Sequence, residues 1–399
     1  MLYAAHVARQ LIASLDHFRA FAESEQAAYR AFDQAVAVLS SLTPDELAVR
    51  LEGVARAGAL PSEEWAGSTE LVVPFATALH DHRAARIWAL DRISGIRTLA
   101  VDGSEIKPTK DYSLPLAAVQ VAWFENPHLP SGHYVKDVSF QIVHPDELIE
   151  EHADGFGIVD QLLALRRFQA EVNKLIERMN AIAEAGFDGP PPVAFFDGSL
   201  VVSFAGAMLQ DLGTGYISAI CRLLAASEDT RVPVVGYIDT SMAKDLGTML
   251  GVLGDLPAGH RVPDSRIVNS RVVWGDRTRA LVCARDDVLG RYTTDDGQTF
   301  AREICFTYLK TNQFAAPARI DFPRWILRDG LLDHVVDVVR AEVIIGNGYP
   351  YCIETADQCA VLGSLDREHF YRVVQDFASS EGLNLRIVPK AASKRRRRS

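Results

Sequence analysis

The pattern of apolar and polar positions separates a helical beginning from a strand-rich remainder. In residues 1–95 apolar side chains recur at helical spacing, as at Leu11 and Leu15. Thr43 followed by Pro44 predicts the start of a further helix, because threonine caps helices and proline suits their first position. We therefore expect a helical N-terminal extension over residues 1–95.

From residue 96 the pattern changes to strand-like runs. Three runs separated by turn residues, TLAVDGS, LAAVQVAWFE and YVKDVSFQIVH, precede a long helical stretch over residues 158–185. The nearly continuous apolar run PPPVAFFDGSLVVSF predicts a strand buried on both faces. A helix over residues 216–226 and the strand VPVVGYID complete a β-β-β-α-β-α-β order. This order predicts an α/β fold with a mixed sheet flanked by helices.

The C-terminal part contains both patterns. Alternation in RIVNSRVVW, RALVCARDD and EICFTYLK predicts an antiparallel insertion over residues 264–310. Helical spacing returns in three later segments, residues 331–340, 353–362 and 367–378, before a last strand, LRIVP. We divide the chain into a helical extension, a main domain and a last strand with a basic tail, residues 1–95, 96–384 and 385–399.

Composition narrows the class of protein. A chain of 399 residues with 48% apolar and 23% charged residues is typical of a globular protein of two or three domains. No apolar run approaches the roughly 20 residues that cross a bilayer, and the N-terminus lacks the pattern of a secretory leader. Five cysteines without zinc-type spacing predict a reduced, cytoplasmic protein.

The charge is unevenly distributed. A formal net charge of −11 argues against nucleic acid as a partner. Residues 390–399, however, contain six lysines and arginines and no acid. This tail is either a solvated, disordered end or a segment that contacts phosphates. The net charge alone therefore does not exclude a nucleic-acid substrate.

Two aspartates occupy the same local setting. Asp102 and Asp197 each follow an apolar strand and precede Gly-Ser, so we expect each carboxylate where a buried strand opens into a turn. A turn aspartate that bonds its own backbone is the ordinary alternative for either one. On neighbouring strands the two would converge, and carboxylates about 4 Å apart repel by roughly 4 kcal/mol. Such a site needs a proton or a cation, and Mg²⁺ or Mn²⁺ suits oxygen ligands.

Two further carboxylates are candidates. Glu171 lies roughly 90° from the centre of the apolar face of its predicted helix, where a side chain can reach the sheet. Asp357 lies one residue off a small apolar stripe of a helix that can start at Pro350, and Glu354 could substitute for it. A boundary glutamate and a solvated helix aspartate are the alternatives.

Four motifs follow one another along the chain: LAVDGS, the helical motif RRxxxE formed by Arg166, Arg167 and Glu171, FFDGSL and GYPYCIETAD. Their order and spacing over residues 95–380 resemble the NurA nuclease family. The resemblance implies a ribonuclease-H-like fold whose acidic cluster binds two Mn²⁺ or Mg²⁺ ions. It also implies single-strand endonuclease and 5′ to 3′ exonuclease activity, a homodimer, and work with a hexameric HerA translocase in DNA end processing.

Carried over residue by residue, the resemblance makes Asp102, Glu171 and Asp197 catalytic metal ligands. Many family members have histidine where this chain has Asp357, and we interpret Asp357 as an equivalent ligand. One ion would activate water and the other would stabilise the leaving 3′ oxygen. Asp239, where some members carry lysine, is either a further ligand or a turn residue.

Other side chains are candidates for contact with DNA. Basic residues that could meet backbone phosphates are Lys107, Lys244, Lys310 and Arg319, and the alternative for each is a solvated surface charge. Aromatic residues that could stack on a base are Tyr349 and Tyr351, and the alternative is packing at a helix start.

The leading hypothesis is a metal-dependent DNA nuclease in DNA repair or in defence against foreign DNA. A catalytically inactive nuclease fold that serves a translocase as adaptor or DNA clamp is the alternative from another class. A ribonuclease-H-like enzyme that acts on RNA or hybrids is a third hypothesis. Four acidic positions that would repel one another argue against the inactive form. Because an acidic body steers DNA weakly, we expect DNA to be delivered by a dimer groove or by a translocase.

Overall fold

The computed structural model describes residues 2–109, 115–152, 155–158, 160–208, 210–257, 259 and 261–383. These residues divide into two compact units. The first unit lies within Met1–Ala78, Ile238–Gly290 and Ala301–Arg328. The second lies within Leu79–Tyr237, Arg291–Phe300 and Asp329–Ser399. Within the described ranges, no helix combines the length and the apolar character needed to cross a membrane.

The strands, in chain order, are β1 Gly58–Pro61, β2 Val72–Val73, β3 Thr98–Ile106, β4 Ala117–Asn126, β5 Val135–Val143, β6 Ile149–His152, β7 Gly155–Ile158, β8 Val193–Asp197, β9 Val234–Ile238, β10 Arg277–Thr278, β11 Leu281–Ala284, β12 Ile304–Leu309 and β13 Ala318–Pro323. Short 3₁₀ helices span Glu63–Gly67 and Ser203–Ala207.

The α-helices, in chain order, are α1 Ala4–Ala13, α2 Leu15–Ser41, α3 Pro44–Leu51, α4 His82–Ile93, α5 Pro145–Leu148, α6 Asp160–Ala185, α7 Gln210–Thr230, α8 Asp245–Leu253, α9 Asp264–Asn269, α10 Asp286–Leu289, α11 Trp325–Arg328, α12 Leu332–Ile345, α13 Tyr351–Ala360 and α14 Ser364–Ser380.

The first unit combines an antiparallel sheet with helices from both ends of its sequence. Its strands are ordered β1-β11-β12-β13, and β10 pairs with both β12 and β2. The Thr43 side chain accepts a hydrogen bond from the Glu46 N–H, and the Glu46 carboxylate accepts one from the Thr43 N–H. This capping box explains why α3 begins at Pro44, as the sequence predicts.

The second unit is built on a mixed sheet ordered β9-β8-β3-β4-β5. β9, β8 and β3 run parallel, whereas β3, β4 and β5 form an antiparallel meander. α6 packs against β3 and β4, and α13 packs against β3, β4 and β8. The prediction of a mixed sheet flanked by helices is therefore confirmed.

A buried carboxylate ties the sheet of this unit to its C-terminal helices. The side chain of Glu342 in α12 is fully buried. It accepts a hydrogen bond from the Thr98 hydroxyl at the start of β3, at 2.7 Å, and from the Cys352 N–H at the start of α13, at 2.9 Å. Glu342 thus fixes α13 relative to β3, because each of its oxygens bonds a different element.

Some local predictions differ from the structure. The run RIVNSRVVW is not a strand: its first residues belong to α9, whose Ile267 and Val268 are buried in a helix. The segment expected to be wholly helical, residues 1–95, also contains β1 and β2. The predicted last strand LRIVP and the basic tail lie outside the described residues.

Candidate active site

The parallel pairing of β3 and β8 places two aspartates side by side. The last pair in their register joins Val101 to Phe196. Asp102 and Asp197 come next on their strands, so both lie where this ladder ends. Asp197 is the last residue of β8, and Gly198 after it has φ = 138°, a conformation that only glycine adopts without strain.

The two strands continue differently beyond these aspartates. β3 continues to Ile106, and Asp102 stays paired with Ala122 of β4. The prediction that Asp102 opens a turn is therefore wrong, since β4 still holds the strand after its partner β8 has ended. Asp197 does end its strand as predicted.

Glu171 reaches this place from α6. Its side chain is only 12% exposed. A Cβ atom built on Gly103 would lie 2.5 Å from Glu171 Oε1 and 3.0 Å from its Cγ. The missing side chain at Gly103 therefore makes room for the carboxylate against β3. Glu177 on the same helix is 57% exposed and pairs with Lys174 at 2.7 Å, so it points outward, as the helical phase predicts.

The site receives carboxylates from both faces of the sheet. Because strand residues alternate in direction and Gly103 faces α6, the side chain of Asp102 points to the opposite face, where α13 packs. Asp357 is exposed on α13, and its charge raises the pKa of both Asp102 and Asp197. The structure thus brings the four predicted carboxylates within electrostatic reach of one another.

Arg167 also belongs to the site, although no role was predicted for it from the sequence. Its Nη1 lies 2.6 Å from Glu171 Oε1 and 3.2 Å from the Gly103 carbonyl oxygen. Its Nε lies 3.3 Å from Glu105 Oε2. The spacing of four residues between Arg167 and Glu171 is a signal that could have predicted the pair. The positive charge of the Arg167 guanidinium therefore offsets part of the negative charge of the carboxylates.

Burial and mutual repulsion change the acidity of these groups. Burial raises the pKa of Glu171 to about 8, although Arg167 opposes the rise. Burial, reinforced by the charge of Asp357, raises the pKa of Asp102 to about 6. Partial desolvation raises the pKa of Asp197, against a hydrogen bond that the Tyr349 hydroxyl donates to its Oδ1 at 2.8 Å. The cluster therefore favours a bound proton or cation.

An open cleft of about 680 Å³ adjoins the cluster. Three of the carboxylates, Asp102, Glu171 and Asp197, line it together with Arg167. The remaining lining includes four aromatic side chains, Phe168, Phe196, Phe204 and Tyr216. Perturbed carboxylates beside a mixed polar and apolar cleft are typical of an active site.

A comparison with known protein families identifies the family of this chain. The NurA domain family matches residues 96–362, which is more than half of the chain and includes all four carboxylates. The chain belongs to the NurA family. Membership in this nuclease family, together with the acidic cleft, supports nuclease activity. No curated protein matches the sequence.

Solved structures similar to this NurA chain share little of its sequence. A crystal structure of NurA with manganese is 8% identical, with a TM-score of 0.43, over 72% of this chain and 89% of that chain. The catalytic domain of human endonuclease V is 17% identical, with a TM-score of 0.33, over 76% and 92%. NurA bound to dAMP and manganese is 10% identical, with a TM-score of 0.35, over 69% and 87%.

The donor set of the NurA site suits a hard divalent cation. Carboxylate oxygens are the ligands that Mn²⁺ and Mg²⁺ prefer, and the pKa values of Asp102 and Glu171 are raised, mainly by burial, although Arg167 opposes the rise. Among the side chains that the structure describes, no three of His, Cys, Asp and Glu are arranged to hold an ion as they stand. Glu171 is paired with Arg167 instead. The chemistry of the donor set fits a metal, while the ion pair with Arg167 occupies one oxygen of Glu171.

The predicted phosphate contacts fall into two groups. Lys107 and Lys244 are exposed, so both can meet a phosphate. Lys310 is 6% exposed, and its Nζ donates to Asn269 and to the Ala315 carbonyl oxygen.

Arg319 is only 2% exposed and is bonded by buried Asp245 and Asp321. Burial opposes a phosphate contact for Lys310 and Arg319 and favours a structural role.

The two tyrosines also have protein partners. Tyr349 bonds Asp197 and lies edge-to-face with Tyr237, with ring centroids 5.2 Å apart. Tyr351 is 37% exposed and lies edge-to-face with Phe124 at 5.7 Å. Tyr349 therefore orients a candidate ligand, which the sequence reasoning did not foresee, while Tyr351 keeps an accessible ring.

The sequence also offered Glu354 as a substitute for Asp357 and Asp239 as a further ligand. Both side chains are exposed. Glu354 accepts a hydrogen bond from Gln358 at 3.4 Å, and the Thr240 hydroxyl donates to Asp239 at 3.4 Å.

Proposed function

We propose that this NurA-family chain is a divalent-metal-dependent deoxyribonuclease. It would cut single-stranded DNA internally and degrade DNA from 5′ to 3′ in end processing or in defence against foreign DNA. The observation that carries the proposal is the convergence of Asp102, Glu171 and Asp197 on one cleft, with Asp357 close enough to raise the pKa of the two aspartates. Four carboxylates kept together at an energetic disadvantage need a function that uses their charge.

The residues that would hold Mn²⁺ or Mg²⁺ are these four carboxylates. Two such ions would supply an activated water and offset the charge of the scissile phosphate and its leaving oxygen. Asp102 and Asp197 would hold their positions because paired strands fix their backbones. Tyr349 would orient Asp197 through its hydroxyl. Arg167 would be released from Glu171 and could then donate to a phosphate oxygen of the bound strand.

The first test is degradation of single-stranded DNA by purified protein with Mn²⁺, with Mg²⁺, or with a chelator. The proposal expects cleavage with either ion and none with the chelator. Matched RNA and hybrid substrates separate a DNA nuclease from an enzyme that prefers RNA. A preference for RNA or hybrids would mean that DNA is not the main substrate, while the proposed metal-dependent cleavage would still stand.

We further propose that the chain forms a homodimer and works with a HerA-type hexameric translocase. Support comes from the family and from exposed apolar side chains that follow one another along α1 and the start of α2: Val7, Leu11, Ile12, Leu15, Phe18 and Phe21. Removing the whole helical extension would also remove β1, which pairs with β11 in the first unit, so a single substitution is the better test. Phe18→Glu is milder. It should lower the mass measured by light scattering or the binding of the translocase, and an unchanged mass and affinity would exclude this surface.

The alternative function is an inactive adaptor or DNA clamp for a translocase. One observation favours it: Glu171 is held by Arg167, and the described carboxylates form no ready ligand sphere. A protein that binds a HerA-type translocase tightly but shows no cleavage and no thermal stabilisation by Mn²⁺ would support the adaptor. Stabilisation by Mn²⁺ that Glu171→Gln abolishes would support the nuclease.

A further inference from the structure

The cleft that contains the carboxylates also presents an accessible aromatic ring. Phe204 is 51% exposed on the short 3₁₀ helix Ser203–Ala207, and it lines this cleft. Half of a large apolar side chain is thus in water beside a strongly polar site. Other phenylalanines of the chain are as exposed, but among those that the structure describes Phe204 is the one whose exposed ring lines the cleft with the carboxylates, where a ligand of the cleft can cover it.

The ring is held in place by its neighbours. Phe204 lies edge-to-face with Tyr216, with centroids 5.0 Å apart and planes at 82°. Tyr216 in turn packs on Phe168 at 4.8 Å, and Phe168 lies edge-to-face with Phe196 at 5.8 Å. Phe168, Phe196 and Glu171 line the same cleft, so a row of aromatic side chains runs along the cleft from Phe204 toward the acidic cluster.

The backbone before Phe204 is also fixed. The buried hydroxyl of Tyr292 accepts a hydrogen bond from the Val202 N–H at 2.8 Å and donates to the Leu200 carbonyl oxygen at 3.1 Å. The Val201 N–H donates to the Ser199 hydroxyl at 3.0 Å. A segment braced in this way presents its aromatic ring without having to be ordered by the ligand, which lowers the entropic cost of binding.

We propose that Phe204 is a stacking platform for a nucleobase of the strand whose phosphate lies at the carboxylates. The inference rests on the proposed function and extends it to a base-binding subsite. A ligand of this cleft must present an anionic group to a cation at the carboxylates and a flat apolar face to the ring. A nucleotide presents both. Stacking accepts every base, so this subsite predicts a sequence-tolerant grip on single strands.

The test compares two single-stranded ligands of equal length, a fluorescent oligothymidylate and the same backbone without bases. Binding is followed by anisotropy with Ca²⁺ in place of Mn²⁺. We expect Phe204→Ala to weaken binding of the oligothymidylate by about tenfold, as for the loss of one stacked base, and to leave the abasic ligand unaffected. Phe204→Trp should restore binding, and its fluorescence should fall when the oligothymidylate binds. Phe187→Ala, a change at a 39% exposed phenylalanine of the same unit, is the matched control.

Several results would overturn the subsite. These are wild-type affinity in Phe204→Ala, an equal loss of affinity for both ligands, no binding by the wild type, or an unaltered Phe204→Trp signal. Cleavage separates this proposal from the previous one. A wild type that cuts DNA while Phe204→Ala binds normally refutes the subsite alone. A wild type that never cuts, yet binds bases through Phe204, refutes the nuclease alone.

Discussion

Replacing Gly103 with alanine tests the packing that brings Glu171 to the sheet. Gly103 lies in an extended strand, where alanine is ordinarily accepted. The added Cβ would lie 2.5 Å from Glu171 Oε1, 3.0 Å from Glu171 Cγ and 3.1 Å from Arg167 Cγ. The carboxylate oxygen alone could move away, but the two Cγ atoms cannot both retreat while the ion pair holds. We therefore expect Gly103→Ala to displace Glu171.

The size of the effect can be worked from these contacts. Inserting one methyl group into a close-packed contact destabilises a protein by about 1–3 kcal/mol. This range includes the free energy lost when the ion pair between Arg167 and Glu171 is weakened. A displaced ligand should also slow DNA cleavage by tenfold or more, because about 1.4 kcal/mol of lost transition-state stabilisation is enough for that factor.

Thermal unfolding and the rate of single-strand cleavage measure both effects. Gly67→Ala is the control, since a Cβ at Gly67 meets nothing within 4 Å. In a Glu171→Ala background the same Gly103→Ala change should destabilise less, because the two closest clashing atoms, Oε1 and Cγ of Glu171, are gone and Arg167 is no longer held by the ion pair. Equal losses of stability in both backgrounds, or wild-type stability and cleavage for Gly103→Ala, would refute the reasoning.

Further predictions concern pH, a buried carboxylate and metal binding. The pKa of Glu171 is raised from 4.5 to about 8, so its contribution to stability is present below pH 4.5 and is lost as pH rises through 8. Chemical denaturation without metal should show a falling free energy of unfolding over this range, and a flatter curve for Glu171→Gln. Glu342→Ala should destabilise by about 2–5 kcal/mol in the same assay, since it leaves the buried Thr98 hydroxyl and Cys352 N–H without their carboxylate; a loss below about 1 kcal/mol contradicts this. Mn²⁺ at a hundred times its Kd should stabilise the wild type by about 2.7 kcal/mol and Glu171→Gln by less, as thermal shifts can show.

Much of the second unit could be predicted because its strands and long helix carry strong patterns. The predicted helix over residues 158–185 is observed as Asp160–Ala185, and β3, β4 and β5 occur where alternating and apolar runs place them. α9 was missed because six residues are too few for a helical period to be recognised. Asp264 lies in the first turn of α9, where acidic residues are common, and is the one signal that could have indicated this helix.

The candidate site was predictable only in part. Asp102 and Asp197 could be expected to meet if their similar strands were parallel neighbours, and they do meet where the β3–β8 ladder ends, although β3 itself continues. The closeness of Glu171 to Gly103 depends on how a helix packs on a strand, which one sequence does not specify. The burial of Lys310 and Arg319 could not be predicted from the sequence. Charged side chains are rarely buried unless other groups bond them. Asn269 and Asp245, which bond these two, lie far from them along the chain.

The central claim is that the acidic cluster performs metal-dependent cleavage of DNA. The most direct measurement is the rate at which Asp102→Asn degrades single-stranded DNA with saturating Mn²⁺. Asparagine keeps the shape of the side chain and removes its charge, so the fold should be preserved. The account predicts a loss of at least about a hundredfold, equivalent to roughly 3 kcal/mol of transition-state stabilisation, while Glu177→Gln on the outer face of α6 cleaves normally. Cleavage by Asp102→Asn at the wild-type rate would contradict it.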